Sequence, residues 1–116
     1  MSFQEHVGRI QDFFEYAISY IEGFPEDDQM TAGRAVSVLA RDVGSALNNQ
    51  NDANIRHWLK LALDELNEAG ASVDANKIVD AERHLKAGQT YFEDAVMNRK
   101  INVDFVIAPN GEAKQE

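Results

Sequence analysis

Apolar residues recur in the first part of the chain at alternating steps of four and three residues. The row that this spacing forms is Phe3, Val7, Ile10, Phe14, Ala17, Ile21 and Phe24. Such steps place the side chains of a row on one face of an α-helix. Phe13, Ile18 and Tyr20 lie beside the row and widen it, which is typical of a helix that packs into a core of several helices. The spacing therefore predicts a first helix, which Gly23 and Pro25 end.

Three further rows with the same spacing follow along the chain. In order they are Ala32, Val36, Leu39, Val43 and Ala46; Ile55, Leu59, Ala62, Leu66 and Ala69; and Ile78, Ala81, Leu85, Gly88, Phe92 and Ala95. The second helix is predicted from about Gln29 to Asn48, where a polar run interrupts the pattern. Asn51 or Asp52 can cap the third helix, and Gly70 is its expected end.

Four similar helices joined by short connections predict an all-α fold, namely an antiparallel up-down-up-down four-helix bundle. Ser72 or Asp74 is the expected cap of the fourth helix. A chain of 116 residues suits one domain and can bury one core without disulfides or metal sites.

The pattern changes after the fourth helix, where apolar residues occupy every second position. These residues are Ile101, Val103, Phe105 and Ile107. Period two predicts a short extended segment, and a lone strand needs a neighbour to be stable. The segment either packs across its own bundle, which we favour, or pairs with the same segment of a second copy. Residues 1–108 are thus predicted to form the bundle with this segment, and residues 109–116 a flexible polar tail.

Charge and composition narrow the classes of function. The chain has a formal net charge of −9 and no cysteine. The lack of cysteine excludes disulfides, zinc–thiolate sites and cysteine nucleophiles. An acidic surface repels phosphate backbones and anionic lipids, so we expect neither nucleic acid nor a membrane as partner. Residues 1–6 lack the pattern of a secretory signal and no apolar stretch is long enough to span a bilayer, so we expect a cytoplasmic protein.

One histidine lies in a sequence that resembles a catalytic motif. The run from His84 to Gly88 is similar to the motif of histidine phosphotransfer domains, which are also four-helix bundles. In that family the lysine follows the histidine by three residues, whereas Lys86 follows His84 by two. Lys86 then does not lie one turn along the same helix face. We therefore interpret His84 as a solvated residue near Asp80.

The carboxylates do not follow the pattern of a metal site. Di-iron bundles need Glu-x-x-His on two helices, and neither His57 nor His84 has glutamate three positions earlier. Glu65 and Glu68 resemble half of the magnesium motif of all-helical, MazG-like pyrophosphohydrolases, but no Glu-x-x-Asp follows on the next helix. We expect Asp64, Glu65 and Glu68 to form a solvated face, and we predict no metal and no cofactor.

A few aromatic residues are candidates for contact with another protein. Trp58 adjoins the third apolar row, and tryptophan and tyrosine are enriched at interface hot spots. The simpler interpretation of Trp58 is a place at the edge of the core. Phe92 fits the fourth row, so its neighbour Tyr91 is expected to face sideways. The candidate interaction residues are His57, Trp58, Tyr91, Ile101, Val103, Phe105 and Ile107.

The sequence favours a non-catalytic protein-interaction or assembly module, with a homodimer as one form of it. One alternative is an acidic inhibitor or immunity-type protein that binds a basic protein surface. Another is a histidine phosphotransfer-like or other small helical enzyme.

Arg34 and Arg41 lie seven residues apart on one stripe of the second helix and are expected to pair with carboxylates of a neighbouring helix.

Overall fold

The computed structural model describes residues 3–23 and 29–100, and this part of the chain contains four helices. They are α1 (Phe3–Gly23), α2 (Gln29–Asn48), α3 (Ala53–Asp74) and α4 (Ile78–Val96). The predicted extended segment Ile101–Ile107 and the tail at 109–116 lie outside the described residues, so their predicted conformations stay predictions. The same holds for Pro25.

The helices form the predicted all-α bundle. Each helix packs on the next one in the chain, and α1 also packs on α4, which closes the arrangement into a ring. Helices α3 and α4 pack together most extensively. Consecutive helices that pack on each other and are only a few residues apart in the chain run antiparallel, so the up-down-up-down prediction is confirmed.

The four apolar rows meet in one continuous core. Its largest fully buried side chains are Phe14, Phe92, Ile10, Ile21, Leu39, Leu59, Leu66, Leu85, Val36, Val43 and Val73. Burial of a side chain of this size contributes about 1.5–3 kcal/mol. Among the described residues the one buried polar side chain is His6, which accepts a hydrogen bond at Nδ1 from Nη2 of Arg9 at 3.3 Å. The interior is therefore an apolar scaffold, and chemistry must be sought outside it.

The start of α3 is capped as expected. Oδ1 of Asp52 accepts hydrogen bonds from the backbone N–H groups of Asn54 at 2.9 Å and Ile55 at 3.1 Å. Asp52 itself has an extended backbone, with φ −74° and ψ 118°. Of the two predicted caps, Asp52 is the one used, because its carboxylate satisfies two N–H groups that the first helical turn leaves without partners.

The end of α3 differs from the prediction. Gly70 is the predicted stop of this helix, but α3 continues one further turn to Asp74. The extra turn buries Val73, and a Cβ atom built on Gly70 would lie 3.7 Å from Cγ1 of Val36, so Gly70 packs inside the α2–α3 interface. The chain turns instead at Asn76, which has a φ of 59°.

The predicted cap of α4 is also wrong. Ser72 and Asp74 belong to α3, and the residue at the N-cap of α4 is Lys77, which makes no side-chain capping bond. The backbone bonds in this turn close the end of α3 instead: the N–H of Lys77 donates to the carbonyl of Ser72 at 2.7 Å. No helix among residues 3–23 and 29–100 is long and apolar enough to cross a membrane.

Candidate interaction surface

Two of the predicted interaction residues meet where α3 begins and α4 ends. The rings of Trp58 and Tyr91 stack with centroids 6.1 Å apart and an angle of 22° between their planes. Both side chains are half-buried and pack against the core. Stacked aromatic pairs contribute about 0.5–1.5 kcal/mol beyond their burial. Trp58 therefore lies at the edge of the core, while its outer ring face and Tyr91 line the surface.

His57 completes this cluster from the neighbouring position on α3. Its exposed imidazole lies edge-on to the indole of Trp58, with ring centroids 5.1 Å apart and an interplanar angle of 77°. We call the group His57, Trp58 and Tyr91 the end patch. It combines two rings fixed by packing with one ring free to meet solvent, and rigid aromatic side chains lose little conformational entropy when they bind a partner.

Hydrogen bonds hold the chain after α4 against the end patch. Nε1 of Trp58 donates to the carbonyl oxygen of Arg99 at 2.8 Å, and Nδ2 of Asn54 donates to the same oxygen and to Oδ1 of Asn98 at 2.7 Å. Asn98 takes a φ of 50°, a left-handed conformation that asparagine tolerates well. The guanidinium of Arg99 is anchored in turn by Asp94, with Nε 2.8 Å from Oδ1. The chain therefore leaves the described region beside Trp58.

Only some of the predicted interaction residues lie in the part of the chain that the structure describes. His57, Trp58 and Tyr91 lie together in the end patch. Ile101, Val103, Phe105 and Ile107 lie outside the described residues, and their role in an interface stays a prediction. Sequence reasoning missed Asn54 and Asn98, whose side chains join the start of α3 to the residues after α4. Asparagine just after a helix is a common signal for a left-handed turn, and Asn98 carries that signal.

A second polar contact lies further along the same side of the α3–α4 pair. Nδ1 of His84 and Oε1 of Glu65 are 2.7 Å apart, and both side chains are half-buried. The prediction that both are solvated is therefore wrong. Asp80, the expected neighbour of His84, pairs with Arg83 at 3.3 Å. Among the described residues no group of three or more His, Cys, Asp or Glu side chains could hold a metal ion.

The α1–α4 side of the bundle carries a charged cluster. Nζ of Lys86 lies 2.9 Å from Oε2 of Glu22 and 3.1 Å from Oε2 of Glu82, so the pair within α4 is joined by a carboxylate from α1. Hydrogen bonding with Glu82, and then with Lys86, lowers the pKa of Glu22. Hydrogen bonding to Glu22 and Glu82 raises the pKa of Lys86. Lys86 and Glu22 are exposed, so the cluster aligns α1 and α4 without contributing much stability.

Comparison with known proteins gives no match: no protein-family model, no curated protein sequence and no solved structure matches this chain. Function therefore has to be inferred from the geometry and charge of the chain itself.

Proposed function

We propose that this protein is a non-catalytic interaction or assembly module, and that it contacts a partner protein through the end patch of His57, Trp58 and Tyr91. We further propose that neither nucleic acid nor a membrane is its partner, because the chain carries a net charge of −9. We also propose a cytoplasmic location, which the lack of cysteine fits. The observation that carries the proposal is the stacked Trp58–Tyr91 pair with exposed His57 at its edge.

The rest of the bundle supports a function at the protein surface rather than in its interior. The core is filled by apolar side chains, and the half-buried polar contact between Glu65 and His84 has no third titratable group beside it that could hold a metal among the described residues. The end patch offers what interface centres commonly contain, namely aromatic side chains held in place and flanked by polar groups. The backbone at Arg99 is fixed beside it.

Affinity capture with quantitative mass spectrometry tests this role. The tagged full-length chain should enrich one or more proteins from the source cell, and Tyr91→Ala and His57→Glu should each lower that enrichment at least tenfold, the range of a hot-spot loss. Asn67→Glu is the matched control, because Asn67 is exposed on α3 away from the end patch. Equal enrichment by the wild type and all three variants would contradict the proposal.

The inhibitor alternative has less support. Its distinguishing feature would be carboxylates gathered on one face of the bundle. The carboxylates are instead distributed, because α1, α3 and α4 each carry net negative formal charge. The phosphotransfer alternative also has less support. It depends on an exposed His84, but Nδ1 of His84 lies 2.7 Å from Oε1 of Glu65 and the side chain is half-buried.

A further inference from the structure

Helix α1 carries a second aromatic stripe in addition to its core row. Phe13, Tyr16 and Tyr20 follow one another at steps of three and four residues, with ring centroids 5.5 Å apart between Phe13 and Tyr16 and 6.1 Å between Tyr16 and Tyr20. Phe13 and Tyr20 pack against the core, whereas the Tyr16 side chain is 51% exposed. Tyr16 is therefore the member of this stripe that the bundle's own core leaves exposed.

The stripe runs along the seam between α1 and α2. Arg9 precedes Phe13 by four residues and lies on the same stripe, and its Nε is 3.6 Å from Oδ2 of Asp42 on α2. This ion pair places Arg9 close in height to Asp42 on the antiparallel helix. We call the outer face that these two helices share the α1–α2 face. It presents Tyr16 near its middle.

The two helices that form the α1–α2 face carry opposite formal charge. Helix α1 contains one arginine and four carboxylates, one of which, Glu22, lies toward Lys86 on α4, whereas α2 contains two arginines and one aspartate. Among the four described helices, α2 alone has a positive formal charge, because α3 and α4 each contain four carboxylates and two cations. Asp12 and Arg41 are exposed, and neither has an ion-pair partner within residues 3–23 and 29–100. The expected pairing of Arg41 with a neighbouring helix is therefore absent from this part of the chain.

From these observations we infer that the α1–α2 face binds a second copy of this chain, with α1 of each copy lying antiparallel against α2 of the other. This inference deepens the assembly role proposed above and rests on it, but it uses a different face from the end patch. A twofold axis parallel to the helices produces this arrangement and makes the interface self-complementary. Each acidic α1 then meets a basic α2.

The register brings the unpaired charges together. Counting from the level of Arg9 and Asp42, Asp12 lies three residues along α1 and Arg41 one residue back along α2, so the two differ in height by about 3 Å at 1.5 Å per residue. A twofold axis parallel to the helices keeps these heights, so Asp12 lies within reach of Arg41 of the second copy. The other twofold arrangement would place α1 on α1 and oppose carboxylate to carboxylate.

The α1–α2 face is large enough for a stable contact. Helices of about 20 residues are about 30 Å long, and two side by side are about 20 Å wide, which gives about 600 Å² on each copy. The total of about 1,200 Å² reaches the lower end of the range for specific interfaces. Tyr16 of each copy then packs against the outer side of the second copy's α2.

Sedimentation velocity of the full chain over a concentration series tests the dimer. The wild type should approach twice the chain mass of 13.0 kDa at high micromolar concentration. Tyr16→Glu should raise the dimer dissociation constant at least tenfold, and Asp12→Arg or Arg41→Asp should each raise it about tenfold, since two contacts per dimer become repulsive. A 1:1 mixture of Asp12→Arg with Arg41→Asp should dimerise again, because every contact in the mixed dimer then joins opposite charges.

Two control variants separate this dimer from a general effect of net charge and from contact through the end patch. Asp64→Arg makes the same charge change as Asp12→Arg but at an exposed position of α3, and it should leave the dissociation constant unchanged. His57→Glu should also leave it unchanged, so failure of the end-patch proposal and failure of this one are distinguishable. Circular dichroism confirms that each variant is helical.

Three results would overturn the inference. The first is a wild-type mass of one chain throughout the concentration series. The second is a dimer that survives Tyr16→Glu but is lost in Val103→Pro, which would place the contact in the C-terminal segment. The third is a mixture of the two charge variants that stays monomeric.

Discussion

Replacement of Trp58 by phenylalanine tests whether this side chain fixes the end of the described chain. The change removes the hydrogen bond from Nε1 to the carbonyl of Arg99 but keeps an aromatic ring next to Tyr91. A hydrogen bond of this kind contributes about 0.5–1.5 kcal/mol net, and the smaller ring gives up a few tenths more in buried area. The carbonyl of Arg99 keeps its bond from Asn54, so the loss should not exceed this sum.

We therefore expect Trp58→Phe to lower the free energy of unfolding by about 1–2 kcal/mol, which shifts the midpoint temperature of a chain this long by about 4–8 °C. Urea and thermal unfolding followed by circular dichroism measure it, since Trp58 is the one tryptophan and its fluorescence is lost in the variant. Tyr91→Phe is the matched control: it keeps the ring stack, removes only a hydroxyl group, and should change stability by less than about 0.5 kcal/mol. Equal stability of Trp58→Phe and Tyr91→Phe would refute this role of the indole N–H.

Three further changes should alter stability in defined directions. Gly44→Ala should stabilise the chain by about 0.5–1 kcal/mol in urea unfolding, because a Cβ atom there meets nothing within 4 Å and alanine is the better helix former; a loss of stability would show that this helix face is already covered. Asp52→Ala should cost about 1 kcal/mol through loss of the α3 cap, and an unchanged unfolding midpoint would contradict the capping role. The lowered pKa of Glu22 predicts a stability contribution that is present above the ordinary carboxyl range and lost as pH falls through the folded-state value. In Lys86→Met the acid-side decline of the midpoint temperature should be shallower, and an unaltered pH profile would count against this cluster.

The core was predictable because a single helix reveals its own buried face. Phe14, Leu66 and Phe92 each belong to an apolar row whose members are three or four residues apart, and all three are fully buried in the structure. The same periodicity could not decide the role of Gly70, since a glycine can either end a helix or make room for a neighbour. The burial of Val73 one turn later decides it, and that burial depends on where α2 lies.

The contact between Glu65 and His84 was not predictable for a related reason. Helical periodicity fixes how α3 and α4 rotate toward each other, but it does not fix how far one slides along the other. Once Trp58 is level with Tyr91, Glu65 lies seven residues further along α3 and His84 seven residues earlier on α4. Seven residues are nearly two helical turns, so this second pair must meet on the same side of the bundle.

The difference in formal charge between α1 and α2 can be read from the sequence. Helix α1 contains four carboxylates, and Arg34 and Arg41 share one stripe of α2. What the sequence lacks is the side-by-side placement of the two helices. The ion pair between Arg9 and Asp42 shows that placement, because it brings these two residues together at similar heights on the shared face.

Site-specific photo-cross-linking in the source cell tests most directly whether the protein acts through the end patch. A photoreactive phenylalanine analogue replaces His57 in one variant and Asn67 in a control, and both positions are exposed on α3. We predict a discrete cross-linked protein from position 57 and none of that species from position 67. The same adducts from both positions, or none from position 57 in a cell where the variant is expressed and folded, would contradict a role for the end patch.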